Sequence, residues 1–156
     1  MNVIFYVSAV VAVAATVMVI TGRNAVHALL YLIVSLLAIG LIFFTLGAPF
    51  AAALEVITYA GAIMVLFLFV IMLLNPQVGE ETQSFSIKWR GPGLLTAVLL
   101  AELIYLLMGR GQAVGETAVS PQQVGLTLFG PYLLGVELAS MLLLAGLVGA
   151  YHLGRR

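Results

Sequence analysis

Five long runs of apolar residues, separated by short polar stretches, dominate the pattern of this chain. A helix that crosses the hydrocarbon core of a bilayer needs about 20 mainly apolar residues. Glycine, proline and polar residues close the runs and set the helix ends. The pattern predicts a single transmembrane domain over residues 1–156, with helices at about 3–20, 26–46, 51–74, 93–108 and 132–153.

Proline and polar residues refine the predicted helix ends. Pro92 stands just before the fourth run, in a position suited to the first turn of a helix. Pro131 should start the fifth helix, or kink it if residues 124–129 are also helical. The loops 76–91 and 109–123 are polar enough to reach water. No internal repeat is visible, which argues against a transporter built from inverted halves.

Composition excludes a water-soluble protein. Apolar residues make up 63% of the chain and charged residues only 8%, whereas soluble domains average about 25% charged residues. The fold class expected is therefore an all-α integral membrane protein. The chain has no cysteine, which excludes disulfides, thiolate metal sites and iron–sulfur ligation. The histidines His27 and His152 lie near helix ends and form no metal-binding cluster, and a net charge of zero gives no sign of a nucleic-acid partner.

The distribution of lysine and arginine predicts the orientation in the membrane, because cytoplasmic loops carry an excess of these residues. With five spans and the N-terminus outside, Arg110 alone lies on the outer side. The other basic residues then lie on the inner side: Arg23, Lys88, Arg90, Arg155 and Arg156. We therefore expect the N-terminus outside and the C-terminus in the cytoplasm.

Three carboxyl groups fall within predicted spans, those of Glu55, Glu102 and Glu137. An ionised group at the bilayer centre costs roughly 2.5–3.5 kcal/mol on insertion scales. These carboxyls are therefore either neutral or received by water or partner subunits. Glu102 and Glu137 could relay protons or meet a charged partner, or they could simply hydrogen-bond between helices. Glu55 and Tyr59, four residues apart, could hold one end of a water chain or could sit at the headgroup level.

Small residues cluster in the third and fifth runs. Gly61 follows Tyr59 where the third run turns from polar to apolar, and a glycine there lowers the cost of a local π-bulge. In the fifth run, pairs of small residues four apart would allow close helix approach in lipid. These pairs are Gly135/Ala139, Ala145/Gly149 and Gly146/Ala150.

No catalytic pattern is present in the sequence. It contains no nucleophile with a neighbouring base, no phosphate-binding glycine loop and no dinucleotide fingerprint. We therefore expect no catalytic residues for redox chemistry, no bound cofactor and no metal in this chain.

Three stretches resemble the J-subunit family of bacterial respiratory complex I, which is related to mitochondrial NADH dehydrogenase subunit 6. They are His27 to Leu32, Leu54 to Asn75, and Phe129 to Tyr132 together with Val136 to Gly146. The third run, beginning LEVITYAGAIMVLF, is the most specific of the three. The loops and the fourth run match the family weakly.

The resemblance implies a non-redox membrane-arm subunit of a proton-pumping NADH:quinone oxidoreductase in the bacterial inner membrane, beside the A, K and H subunits. It implies that NADH, FMN, iron–sulfur clusters and quinone belong to the whole complex. It also implies a π-bulge near residues 59–65, whose rotation gates a water path linking quinone reduction to proton translocation. By position, the proton-path and gating residues would be Glu55, Tyr59, Gly61, Met64 and Val65.

Two other functions stay open at the level of sequence. One is a homologous small subunit of a cation/proton antiporter or membrane-bound hydrogenase. The other is a structural scaffold for a membrane arm, in which case changes at Glu55, Tyr59 and Gly61 would affect assembly only.

Overall fold

All regular structure in the described residues is helical. The computed structural model describes residues 2–22, 24–74, 90–108 and 118–155. The α-helices are α1 (Asn2–Thr21), α2 (Ala25–Thr45), α3 (Pro49–Glu55), α4 (Met64–Leu74), α5 (Arg90–Leu107), α6 (Pro121–Leu128) and α7 (Leu133–Gly154), and a π-helix (Val56–Ile63) joins α3 to α4. Five helical stretches are long and apolar enough to cross a membrane, which confirms the prediction of five spans.

The ends of α2 show how local sequence sets the helix bounds. Asn24 caps its start, and the Asn24 side chain accepts hydrogen bonds from the backbone N–H groups of Val26 and His27. At the other end Gly47 adopts a φ of 80°, in the left-handed region that glycine enters freely. Pro49 then opens the next helix without losing a hydrogen bond, because the first turn has no intrahelical partner for its nitrogen.

The fourth span begins earlier than the sequence pattern predicted. Helix α5 starts at Arg90, so Pro92 is its third residue and residues 90–91 belong to the helix instead of the loop. A proline within the first turn removes no intrahelical bond, so the helix can extend to its N-terminal side.

The residues of the chain divide into two compact units, Met1–Ala118 and Val119–Arg156. In the first unit α1, α2 and α5 share one apolar core. Small and branched side chains fill it: Val11, Ala12, Ala15, Val34, Ala38, Leu41, Leu99 and Leu106. Ala15 and Ala38 are fully buried, so the first two helices approach closely.

The second unit contains a short helix that the sequence pattern missed. Helix α6 begins with a capping box, in which Ser120 and Gln123 bond each other's backbone N–H groups. Residues 121–123, expected in a loop, are therefore helical. A turn containing Gly130 and Pro131 separates α6 from α7, so the fifth span begins at Leu133, after the proline, and has no proline kink.

Several residues used for the orientation lie outside the described part of the chain. These are Arg23, Lys88, Arg110 and Arg156. The orientation in the membrane therefore stays a prediction from the sequence.

Candidate functional site

The third span changes its hydrogen-bond pattern in mid-course. It runs without a break over Pro49–Leu74, but Val56–Ile63 form a π-helix of eight residues between two α-helices. Just past its end, the N–H of Met64 points to the carbonyl of Tyr59, five residues earlier. Short π-helical stretches inside α-helices are rare and are found frequently at functional sites.

Gly61 lies inside the π-helix, where a side chain would be crowded. A Cβ atom added to Gly61 would lie 3.3 Å from the carbonyl oxygen of Val56, five residues earlier. That is tighter than an ordinary van der Waals contact, so a larger residue here would disfavour the π-helical backbone. Glycine at this position removes the conflict.

A second glycine, Gly40 of α2, lies against the start of the π-helix. A Cβ atom on Gly40 would lie 3.2 Å from Cγ2 of Val56 and 3.7 Å from the carbonyl oxygen of Ala52. Gly40 itself is buried. Sequence reasoning did not single out Gly40, although a glycine in the middle of an apolar span is a signal of close backbone approach.

The five predicted gating residues fall on all three parts of the third span. Glu55 is the last residue of α3 and is partly exposed. Tyr59 and Gly61 lie within the π-helix, and the Tyr59 side chain is 48% exposed. Met64 and Val65 open α4, where Met64 is buried and Val65 is 46% exposed. The π-helix therefore begins and ends slightly earlier than residues 59–65, the stretch suggested by the resemblance.

The structure does not join all of these side chains. Glu55 and Tyr59 belong to different helix types, and no side-chain hydrogen bond links these two described residues. Glu55 carries the single carboxyl side chain of the span and Tyr59 its single phenol, each with access to the surface of the first unit.

The other two intramembrane carboxyls differ in their surroundings. Glu102 of α5 accepts a hydrogen bond of 2.8 Å at Oε2 from the Ser8 hydroxyl of α1. Glu137 of α7 lies on an exposed part of its helix. The sequence alone did not decide whether these two residues relay protons or hydrogen-bond between helices. Of the two, only Glu102 forms a hydrogen bond to a neighbouring span of its unit among the described residues.

Within the described ranges there is no group of three or more histidine, cysteine, aspartate or glutamate side chains that could hold a metal. The feature that distinguishes the third span is its change of backbone hydrogen-bond pattern at Val56–Ile63. If a π-helical stretch becomes α-helical, the helix beyond it shifts by one residue and rotates about its axis.

Comparison with known families bears on the same region. Residues 15–153 match the model of NADH-ubiquinone/plastoquinone oxidoreductase chain 6. This chain belongs to that family. The match includes α2, the whole third span and most of α7.

Individual relatives of the chain 6 family agree along nearly the full length. The chain is 60% identical to NADH-quinone oxidoreductase subunit J of Pseudomonas aeruginosa, covering 97% of this chain and 95% of the relative. It is 55% identical to the subunit J of Escherichia coli strain K12, over 97% of this chain and 85% of the relative. A subunit J from Buchnera aphidicola is 46% identical over 99% of this chain and 98% of its own length. The resemblance inferred from the sequence is confirmed.

Proposed function

We propose that this chain is a non-redox membrane-arm subunit of a proton-pumping NADH:quinone oxidoreductase. Membership of the chain 6 family and 60% identity to a subunit J support the assignment. The relatives named above are all NADH-quinone oxidoreductase subunits, which favours this enzyme over a cation/proton antiporter or a membrane-bound hydrogenase.

In this proposal the chain forms one transmembrane domain in a bacterial inner membrane, with the N-terminus outside and the C-terminus in the cytoplasm. Bacterial relatives and the five apolar spans support the location. The A, K and H subunits are its proposed neighbours. NADH, FMN, iron–sulfur clusters and quinone belong to the rest of the complex, and this chain supplies conformational coupling.

The π-helix at Val56–Ile63 is the observation that carries the proposed coupling role. If this stretch becomes α-helical, one residue of register is absorbed, and α4 turns by about 100°, the rotation per residue of an α-helix. After such a rotation, each side chain of α4 occupies the position that the next residue along the chain held before. A span with two such states is a bistable element that quinone chemistry elsewhere in the complex can bias.

Met64 and its neighbours would report the change most directly. Met64 is buried and the following Val65 is half exposed. Absorbing one residue would carry Met64 to the exposed position of Val65 and bring Ile63 inward. The path that the rotation opens or closes would run along this apolar half of the span, from the polar end marked by Glu55 and Tyr59. The proposed gate opens or closes a water chain on that side. Its residues are Glu55, Tyr59, Gly61, Met64 and Val65.

Glu137 has a simpler proposed role. It lies exposed on α7, a helix apolar enough to span the membrane. A carboxyl in that position is costly against lipid. We place it against a hydrogen-bonding or basic group of a neighbouring subunit.

The direct test replaces Gly61 with valine. A Cβ at Gly61 crowds the Val56 carbonyl in the π-helix, whereas an α-helix accepts a Cβ at any position. The variant should therefore assemble and reduce quinone but move fewer protons per electron than the wild type. The measurement is the proton-to-electron ratio of the purified complex in vesicles, with NADH:quinone reductase activity recorded in parallel.

The control is Gly93→Val, because nothing lies within 4 Å of a Cβ at Gly93 in the first turns of α5. It should keep the wild-type ratio. A wild-type ratio in assembled Gly61→Val would refute the gate. Loss of assembly in Gly61→Val, with Gly93→Val normal, would instead favour the structural scaffold.

A further inference from the structure

The first and fourth spans meet at a partly buried hydrogen bond that the proposed gate does not use. The Ser8 hydroxyl of α1 donates to Oε2 of Glu102 on α5, at 2.8 Å. Ser8 is fully buried. The bond lies about 9 Å from the start of α1, at a rise of 1.5 Å per residue, and therefore inside the span.

Oε1, the second oxygen of the Glu102 carboxyl, has no hydrogen-bond partner among the described residues. Oε1 of Glu102 is buried and accepts no hydrogen bond from the described residues. Leu99 and Leu106, one turn before and after Glu102 on α5, are both buried in the apolar core. On α1, Val11 follows Ser8 by three residues and is also buried in that core. Oε1 therefore lies buried beside an apolar part of the core, while the Glu102 side chain as a whole is partly buried.

An ionised carboxylate would be poorly compensated here. A charge within a span costs roughly 2.5–3.5 kcal/mol on insertion scales, whereas a hydrogen bond between spans contributes about 0.6 kcal/mol on average. One hydroxyl donor therefore does not offset the charge. The carboxyl needs either a cation or a proton of its own.

No described cation meets this need. The titratable groups on the three packed helices are Tyr6 of α1, His27 and Tyr31 of α2, and Arg90 and Tyr105 of α5. Ser8 is the one described group that hydrogen-bonds the Glu102 side chain. Arg90 lies twelve residues before Glu102, about 18 Å along the helix axis. A proton is then the remaining means of neutralising the carboxyl within this unit.

A neighbouring contact shows that a carboxyl is not needed to join two spans. Thr16 of α1 and Ser35 of α2 lie 2.9 Å apart through their hydroxyl oxygens. Thr16 donates to the Ala12 carbonyl at 2.8 Å, and Ser35 reaches the same carbonyl at 3.2 Å. That cluster joins two helices with hydroxyls alone. A glutamate at the Ser8 contact adds an ionisable oxygen that packing does not require.

We propose that Ser8 and Glu102 form an intramembrane proton-binding site, in which Glu102 carries a proton on Oε1 and Ser8 holds Oε2 by its hydroxyl. The reaction is the simple addition of a proton to a carboxylate. The site is separate from the π-helix, and it does not depend on the gate assigned to the third span. Because Oε1 is buried, release of this proton to water or to an acceptor of a neighbouring subunit requires the Glu102 side chain to move.

Infrared spectroscopy of the assembled complex in lipid at neutral pH tests the site. Glu102→Gln should remove a carbonyl-stretching band that belongs to a protonated carboxylic acid. Ser8→Ala should keep that band and move it to higher frequency, because Oε2 then loses its hydrogen-bond donor. Ser35→Ala is the matched control, since it deletes another buried serine hydroxyl of the same core and should leave the band in place.

Two results would overturn the proposal. One is a difference spectrum between wild type and Glu102→Gln that contains carboxylate bands in place of the acid band. The other is a Ser8→Ala spectrum identical to that of Ser35→Ala. The second comparison stays decisive even if Glu102→Gln does not assemble, because Ser8→Ala keeps the carboxyl. Neither result bears on Gly61→Val, so the failure of one proposal leaves the other standing.

Discussion

Helix α2 packs against several spans of the first unit, and its contacts with α1 and with the third span are built in different ways. Where α1 and α2 meet, Ala15 of α1 and Ala38 of α2 are fully buried, and Ser35 of α2 joins a hydroxyl cluster with α1. Toward the third span α2 presents Gly40, which leaves room for Val56 at the start of the π-helix. No side chain of the π-helix is buried. The first contact rests on close side-chain packing, whereas the second brings a glycine against a π-helix whose own side chains are not buried.

If the proposed gate operates, this difference lets one part of the first unit stay rigid while another part changes. Close packing between α1 and α2 makes any movement there costly, because interiors tolerate little change in volume. The π-helix is held mainly by its own backbone bonds, and an α-helix of the same residues would satisfy the same groups. The free-energy difference between the two forms can therefore be small enough for events elsewhere in a complex to reverse it.

The largest expected effect comes from overpacking the fixed contact. Ala15→Leu inserts a bulky side chain at a fully buried position, and overpacking a well-filled core costs typically about 1–3 kcal/mol. We expect the amount of assembled complex in membranes to fall several-fold, measured by native gel electrophoresis. Ala97→Leu, on an exposed part of α5, is the control and should assemble normally. Equal amounts of the two variants would show that the α1–α2 contact is not the rigid one.

The next effect concerns the adjustable contact. Gly40→Val places side-chain atoms where a Cβ alone lies 3.2 Å from Val56. The third span must then move away from α2 or change its register. We expect assembly with a lowered proton-to-electron ratio, and a smaller decrease for Gly40→Ala, whose single methyl needs only a small shift. If Gly40→Val instead loses assembly as Ala15→Leu does, the two contacts of α2 are alike and the contrast fails.

The smallest effect is expected at the hydroxyl cluster. Ser35→Ala removes a hydroxyl whose proton can bond either Thr16 or the Ala12 carbonyl, and a hydrogen bond between membrane helices is worth about 0.6 kcal/mol on average. We expect a slight decrease in the thermal stability of the complex and an unchanged proton-to-electron ratio. The control is Ser140→Ala, because among the described residues the Ser140 hydroxyl bonds only the Val136 carbonyl of its own helix. A stability loss as large as that of Ala15→Leu would mean that polar bonds, and not packing, fix this contact.

Two features of the fold that the sequence pattern did not predict have recognisable signals in the sequence. Ser120 and Gln123, three residues apart, have the sequence signature of a capping box, which marks the start of α6. Gly40, in the middle of an apolar run, was a readable sign of close approach. The early start of α5 at Arg90 was harder to foresee, because a proline fits anywhere in a first turn.

The sequence by itself determined the membrane class, the number of spans and the family. Hydropathy and helix ends are local properties, and a span must satisfy its own backbone wherever its neighbours lie. Only the tertiary structure decided that Ser8 meets Glu102, that Gly40 faces Val56, and that Val56–Ile63 is π-helical. Those three facts depend on which faces of separate helices meet and on a backbone register that residue type alone does not fix.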